Sequence, residues 1–163
     1  MESEIKYSCN NEIILNNQRV FGNAKERRTK VQHLLTSVYK KDADFKLTDQ
    51  ITYWKKANNC LVSIHVPGAR NDMLDRAQYQ MMAFGVCTVS PYLKDILPHG
   101  AQFQSGYHYI ECKPDYSDLI EKIEWCKKNR EKCIKIGQNA KDYFFAFCLP
   151  RVIVRWMELC LSK

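Results

Sequence analysis

Residues 60–91 have the sequence CLVSIHVPGARNDMLDRAQYQMMAFGVCTVSP, and this stretch decides the fold. It opens with mostly apolar residues, which predict a buried strand that a Pro-Gly pair ends. Small and apolar residues then recur at helical spacing, and Asp72 is placed to cap the predicted helix. Gly85 ends this helix, and residues 86–89 predict the next strand. The order strand, helix, strand predicts one unit of a parallel sheet.

The rest of the chain continues this alternation, with a helix or turn expected at residues 91–97. Further strands are predicted within residues 13–21 and at 43–47 and 107–112. Further helices are predicted at residues 25–38, 48–57, 115–126, 130–147 and 151–161. We therefore expect the α/β class: a single Rossmann-like domain over residues 1–163, with a parallel sheet of about five strands flanked by helices and extra C-terminal helices.

Eight cysteines are distributed along the chain without a CxxC pair. Most of them fall in predicted buried strands or on apolar helix faces, where a free thiol packs as a small hydrophobic group. This pattern predicts free thiols and neither a disulfide framework nor a structural zinc site. The first residues, MESEIKYSCNNE, contain no apolar signal segment, and no run reaches the ~20 apolar residues of a membrane helix. A cytoplasmic location without a transmembrane segment is expected.

The net charge of +7 is not concentrated in one arm or tail, which argues against a nucleic-acid partner. The densest cluster of basic residues follows Gly22 on a predicted helix. Its members are Lys25, Arg27, Arg28 and Lys30. Three interpretations of this cluster stay open: a solvated helix face, a site for a diphosphate or another anion, and a nucleic-acid contact.

The order of residues in 63–91 resembles the donor-binding, C-terminal domain of GT-B fold glycosyltransferases of the glycosyl transferase group 1 type. In that family a strand ends in a Pro-small pair, and an acidic residue follows. Eight positions later a Glu opens the segment Glu-Ala-Met-Ala-X-Gly-Val-Pro-Val. Here Pro67-Gly68 matches the pair, Asp72 matches the acid, and residues 80–89 match the segment. The family's ribose-binding Glu is Gln80 in this chain, and its Pro is Cys87.

The resemblance implies transfer of a sugar from a nucleotide diphosphate sugar to an acceptor, without a bound metal and without a cofactor. The acceptor domain of a complete GT-B enzyme is not recognisable in this sequence. The acceptor would then be held by a separate chain or through self-association. The predicted substrate-binding residues are Gly22, Arg27, Arg28, His65, Gly68, Asp72, Arg76 and Gln80.

Two of these residues have alternative interpretations. Arg76 lies one helical turn before Gln80, where it would either contact the diphosphate or form a surface pair with Asp72. His65 would either be a hydrogen-bonded structural residue, which its apolar strand favours, or face the donor. The loop at residues 91–106, with His99 and Gln102, would either help to hold the nucleotide or be an ordinary exposed loop.

Other functions also fit the sequence. The chain could be a non-catalytic nucleotide-binding module, or one half of a split glycosyltransferase. A flavodoxin-like or response-regulator-like domain is a further alternative. Response regulators need a cluster of acidic residues at the end of the first strand, and residues 20–23 contain none.

Overall fold

The computed structural model of the chain describes residues 7–94 and 102–162. Within these residues, five short strands form one sheet in the order β2-β1-β3-β4-β5, and every pairing is parallel. The strands are β1 Ile14–Leu15, β2 Ala43–Asp44, β3 Val62–Ile64, β4 Thr88–Ser90 and β5 Ile110–Glu111. The predicted parallel sheet of the α/β class is therefore confirmed.

Helices connect the first four strands, and further helices follow the last strand. They are α1 Lys25–Tyr39, α2 Gln50–Asn59, α3 Arg76–Phe84, α4 Leu119–Lys128, α5 Arg130–Tyr143 and α6 Pro150–Leu161. A π-helical segment, Phe144–Cys148, joins the last two. The order of elements agrees with the sequence prediction, including the extra C-terminal helices.

The core lies on both faces of the sheet, as is usual where crossover helices cover a parallel sheet. Leu15, Val62 and Val89 from the strands are fully buried, and Val31 and Leu35 of α1 pack into the same cluster. Gly85 ends α3 in the left-handed conformation with a φ of 71°, as the sequence predicted. The chain can therefore turn directly from α3 into β4.

One predicted detail, the cap of α3, was wrong, and the helix or turn expected at residues 91–97 is described only in part. Residues 91–94 form no helix, because Met73 and Lys94 pair as an isolated parallel bridge and keep this segment extended. The rest of that predicted helix or turn, at 95–97, lies outside the described residues. Asp72 does not cap α3, because the backbone carbonyl of Asp72 accepts a hydrogen bond from the Lys94 amide at 2.8 Å. This pairing keeps the chain extended before α3, and the helix begins only at Arg76.

The outermost element, α6, has no buried residue, although much of its surface is apolar. Val154, Met157, Leu159 and Leu161 are all exposed. No helix in the described part of the chain is both long enough and apolar enough to cross a membrane.

All eight cysteines are free thiols, and six of them are buried. Burial raises the pKa of Cys112 to about 12 and also raises the pKa of Cys60. Such thiols are protonated and shielded, so they react slowly. The exposed thiol is Cys160.

We expect a thiol reagent to label Cys160 rapidly in the native protein and all eight cysteines after unfolding without reductant. The physical reason is that Cys160 is exposed whereas the core thiols are buried. Mass spectrometry counts the labelled cysteines in the native protein and in the unfolded protein. Recovery of fewer than about six free thiols after unfolding would contradict the absence of disulfides.

Candidate functional site

The order of strands places a crevice beside β1. The chain passes from β1 to β2 on one side of the sheet and then crosses to β3 on the other side. In doubly wound sheets, ligands bind outside the carboxyl ends of the strands at such a change of direction. A site is therefore expected between the loops that follow β1 and β3.

A cleft of about 680 Å³ opens at this place. Its walls come from the loop after β1, the segment that joins β2 to the first turns of α2, and the start of α3. One side chain of α1, that of Arg28, also lines it. We call this crevice the switch-point cleft.

The switch-point cleft brings together three of the predicted substrate-binding residues, Arg28, Arg76 and Gln80. Arg76 and Gln80 lie one turn apart on the same face of α3, as their spacing predicted. The five predicted residues that do not line the cleft are Gly22, Arg27, His65, Gly68 and Asp72.

Arg28 is buried beneath the cleft and holds the end of β3. Its Nε and Nη2 donate to the Val66 carbonyl at 3.3 and 3.1 Å, and its Nη1 donates to the Arg19 carbonyl at 2.7 Å. Burial lowers the pKa of Arg28, and the nearby Asp75 carboxylate opposes this shift. A guanidinium stays charged in proteins, so Arg28 supplies a buried positive charge at the base of the cleft.

Arg27 is partly buried and contacts the loop after β3. Its Nη2 donates to the carbonyls of Pro67 and Gly68 at 3.1 and 3.0 Å. The predicted basic cluster is thus divided, because Arg27 and Arg28 face the sheet edge whereas Lys25 and Lys30 are exposed. Gly22 precedes α1 and borders a separate shallow groove along that helix.

Asp75 caps α3 from the wall of the cleft. Its Oδ1 accepts from the amides of Ala77 and Gln78 at 2.9 and 3.3 Å, and its Oδ2 accepts from the Gly68 amide at 3.1 Å. Asp72 lies away from the cleft and forms a surface pair with Arg70 at 2.8 Å. The predicted pair between Asp72 and Arg76 is therefore absent from the described structure.

His65 links Asp75 to the neighbouring strand. Its Nε2 lies 3.0 Å from Asp75 Oδ1, and its Nδ1 lies 3.0 Å from Ser90 Oγ. The side chain is 2% exposed, so the hydrogen-bonded structural role that the sequence favoured describes this histidine. Burial alone raises the pKa of Asp75, but hydrogen bonds from His65 and from the first turn of α3 outweigh burial. The pKa of Asp75 therefore lies below its ordinary value.

Three arginines, Arg19, Arg28 and Arg76, line the cleft. In the part of the chain that the structure describes, neither Arg28 nor Arg76 takes part in an ion pair. Both lie near the N-terminus of α3, where the helix dipole also favours negative charge. The arrangement can bind an anion such as a diphosphate.

Sequence analysis missed Asn17, Gln18, Arg19 and Thr48, which also line the cleft. The polar run Asn-Asn-Gln directly after the apolar strand β1 was the available signal, because it places amides at the carboxyl edge of the sheet. From the predicted loop at residues 91–106, Gln102 does not line the cleft, and His99 lies outside the described residues.

Comparisons with known proteins show two partial similarities. No family model matches the chain. A stretch of 56 residues, 34% of this chain, is 41% identical to the uncharacterized protein 179R of Invertebrate iridescent virus 6. A stretch of 37 residues, 23% of this chain, is 40% identical to the uncharacterized protein 035R of Invertebrate iridescent virus 3. These matches span only 5% and 3% of the lengths of the two viral proteins.

Proposed function

We propose that this chain binds a nucleotide diphosphate sugar in the switch-point cleft and takes part in transfer of the sugar to an acceptor. The observation that carries the proposal is the meeting of Arg28, Arg76 and Gln80 at the N-terminus of α3. The resemblance of residues 63–91 to the donor domain of GT-B glycosyltransferases supports the same ligand. The eight free cysteines fit a cytoplasmic location for this activity.

Arg28 and Arg76, two of the three arginines that line the cleft, are suited to the diphosphate. A guanidinium has five N–H donors, and Arg28 uses three of them on backbone carbonyls. Two donors of Arg28 are left for a ligand. Asp75 already accepts from the amides of Ala77 and Gln78, so the arginine side chains and not these amides would contact phosphate oxygens. Their charges would stabilise the leaving diphosphate without a metal.

Gln80 is placed one turn beyond Arg76 to bind the ribose. A side-chain amide can accept a hydrogen bond from one ribose hydroxyl and donate one to the other. Such bonds to a neutral group are weaker than those to the carboxylate of the resembling family. We therefore expect Gln80 to contribute to affinity modestly and equally for nucleosides and nucleotides.

A non-catalytic nucleotide-binding role is the second candidate, and one observation favours it. Among the described residues that line the cleft, the one carboxylate is that of Asp75, and both of its oxygens accept hydrogen bonds. The cleft therefore presents no general base within the described part of the chain. In a transferase, the base and the acceptor would come from another chain or from self-association.

We expect Arg76→Ala to weaken binding of UDP by about 2 kcal/mol and binding of uridine by much less, because only UDP carries the charge that the guanidinium meets. Gln80→Ala should weaken both ligands by about 1 kcal/mol, because both carry the ribose. Isothermal titration calorimetry measures these differences.

Arg70→Ala is the matched control for these variants, since Arg70 is an exposed arginine outside the cleft. It should leave both affinities unchanged. Equal and negligible losses for Arg76→Ala and Gln80→Ala in folded protein would refute the site. Titration with a panel of nucleotide sugars, followed by analysis for released nucleoside diphosphate, separates a transferase from a binding module.

A further inference from the structure

His65 joins the wall of the switch-point cleft to the interior of the sheet. Its Nε2 lies 3.0 Å from Asp75 Oδ1, and its Nδ1 lies 3.0 Å from the hydroxyl of Ser90, which is fully buried. Asp75 lines the cleft and is the one carboxylate among the described residues that do so, whereas the buried His65 lies behind it. His65 can therefore act on a ligand of the cleft only through Asp75.

The arrangement accommodates both protonation states of His65. Although burial raises the pKa of Asp75, hydrogen bonds from His65 and from the first turn of α3 lower it below its ordinary value. Asp75 is therefore ionised and keeps a proton on the Nε2 of His65. Nδ1 accepts a hydrogen bond from the Ser90 hydroxyl when the imidazole is neutral and donates one to Ser90 Oγ when it is charged, because a hydroxyl can do both. Protonation of His65 consequently breaks no hydrogen bond of this group.

The groups around the pair of His65 and Asp75 keep their charge between about pH 5 and pH 8, the range in which an imidazole ordinarily changes its own. Arg27 and Arg28 of α1 contact the chain just after β3, and a guanidinium stays charged. Burial raises the pKa of Tyr53 of α2 to about 12, so this phenol stays neutral. Burial also raises the pKa of Tyr116, which follows β5.

The charge of His65 changes the electrostatics of the cleft. The three arginines that line the cleft favour an anion, whereas the carboxylate of Asp75 opposes one. A protonated His65 places a positive charge one hydrogen bond from that carboxylate and offsets its repulsion. Because coupling between two binding events is reciprocal, a bound anion also favours the protonated form of His65.

We propose that His65 controls anion binding in the switch-point cleft through Asp75, so that the anion binds more tightly when His65 is protonated. This inference rests on the proposed binding of a nucleotide diphosphate sugar and adds the regulation of that site by pH. His65 is a positioning residue in this scheme, because it contacts Asp75 and not the ligand.

UDP-glucose and inorganic sulfate are the probes, because neither changes its own charge between about pH 5.5 and pH 8, and an imidazole does. Both are titrated into the full chain over this range by calorimetry. Each should bind about fivefold more tightly at the lower pH, which is the effect of one added charge near an anion in a partly solvated site. Titrations of UDP-glucose in buffers of different ionisation enthalpy should show that the protein takes up protons on binding.

His65→Gln separates this role from a purely structural one. A glutamine can donate to Asp75 and accept from Ser90, but it cannot be protonated. At every pH the variant should keep the affinity that the wild type has at about pH 8, without proton uptake. His33→Gln is the matched control, since His33 is exposed on α1 outside the cleft. It should show the pH dependence of the wild type.

Ser90→Ala is the second variant and tests the linkage independently of His65→Gln. It removes the acceptor that Nδ1 needs in the charged state of His65. An unsatisfied charged donor costs more than an unsatisfied neutral acceptor. The pH dependence of binding should therefore move to lower pH, by about one unit.

The possible results distinguish this inference from the proposed function. Affinities that do not change with pH in the wild type, or a pH dependence that persists in His65→Gln, refute the role of His65 and leave the proposed function standing. Sulfate binding that depends on pH, without binding of UDP-glucose, refutes the proposed function and leaves the role of His65 standing. Absence of binding for both probes refutes both.

Discussion

Gly137→Ala is expected to lower the free energy of unfolding by about 3 kcal/mol or more. Gly137 lies inside α5, where the helix crosses the end of α3. A Cβ atom added there would overlap the carbonyl oxygen of Gly85 and lie 2.8 Å from its carbonyl carbon. Both atoms belong to the backbone and cannot rotate away, so α5 would have to move off the turn that leads into β4. Urea unfolding followed by circular dichroism measures the loss.

Gly68→Ala is the matched control for this substitution. The nearest atoms to an added Cβ at Gly68 are Asp75 Oδ2 at 3.5 Å and Arg28 Nη2 at 3.9 Å, which are ordinary contact distances. We expect a change of less than about 1 kcal/mol. Equal stability of the two variants would show that α5 does not approach Gly85 as closely as described.

The central strand, helix and strand could be predicted from the sequence because the deciding signals are local. The apolar strand before Pro67, the helical spacing of apolar residues and the terminating Gly85 all act within a few residues. The four-residue spacing of Arg76 and Gln80 likewise places both on one face of α3 without any tertiary information. These features agree with the structure for that reason.

The cap of α3 could not be predicted in the same way. Asp72 and Asp75 both precede the helical pattern, and either is a suitable cap by residue type. The choice is made by the bridge between Met73 and Lys94, which joins segments about 20 residues apart in sequence. A long-range backbone contact therefore overrides a local propensity.

The division of the basic cluster also depends on tertiary structure. Lys25, Arg27, Arg28 and Lys30 look alike as a run of charges. Their environments differ because α1 packs with Arg28 over the carboxyl end of β3, where three hydrogen bonds to backbone carbonyls hold it. The rotation of a helix on a sheet is set by its buried face, here Val31 and Leu35, and not by its charges.

Asp75→Ala is expected to lower the free energy of unfolding by about 3 kcal/mol. The substitution removes the cap of α3, the acceptor of the Gly68 amide and the partner of the buried His65 Nε2. Each of these three changes leaves a hydrogen-bond donor without its acceptor. Their combined effect on stability is therefore larger than the loss of a helix cap alone. Asp72→Ala is the matched control, because Asp72 belongs to the same loop and pairs only at the surface with Arg70. We expect it to change stability by less than about 0.5 kcal/mol.

The pH dependence of the free energy of unfolding shows whether Asp75 stabilises the fold through its charge or only through the packing of its side chain. The pKa of Asp75 is lowered in the folded protein, so its charged form contributes stability that is fully present above the unfolded value of about 3.9. This contribution is lost as the pH falls through the folded pKa. The stability difference between the wild type and Asp75→Ala, measured by urea unfolding from pH 7 to pH 2, should therefore narrow below about pH 4. A constant difference over this range would mean that the Asp75 charge does not hold the start of α3 and the wall of the cleft in place.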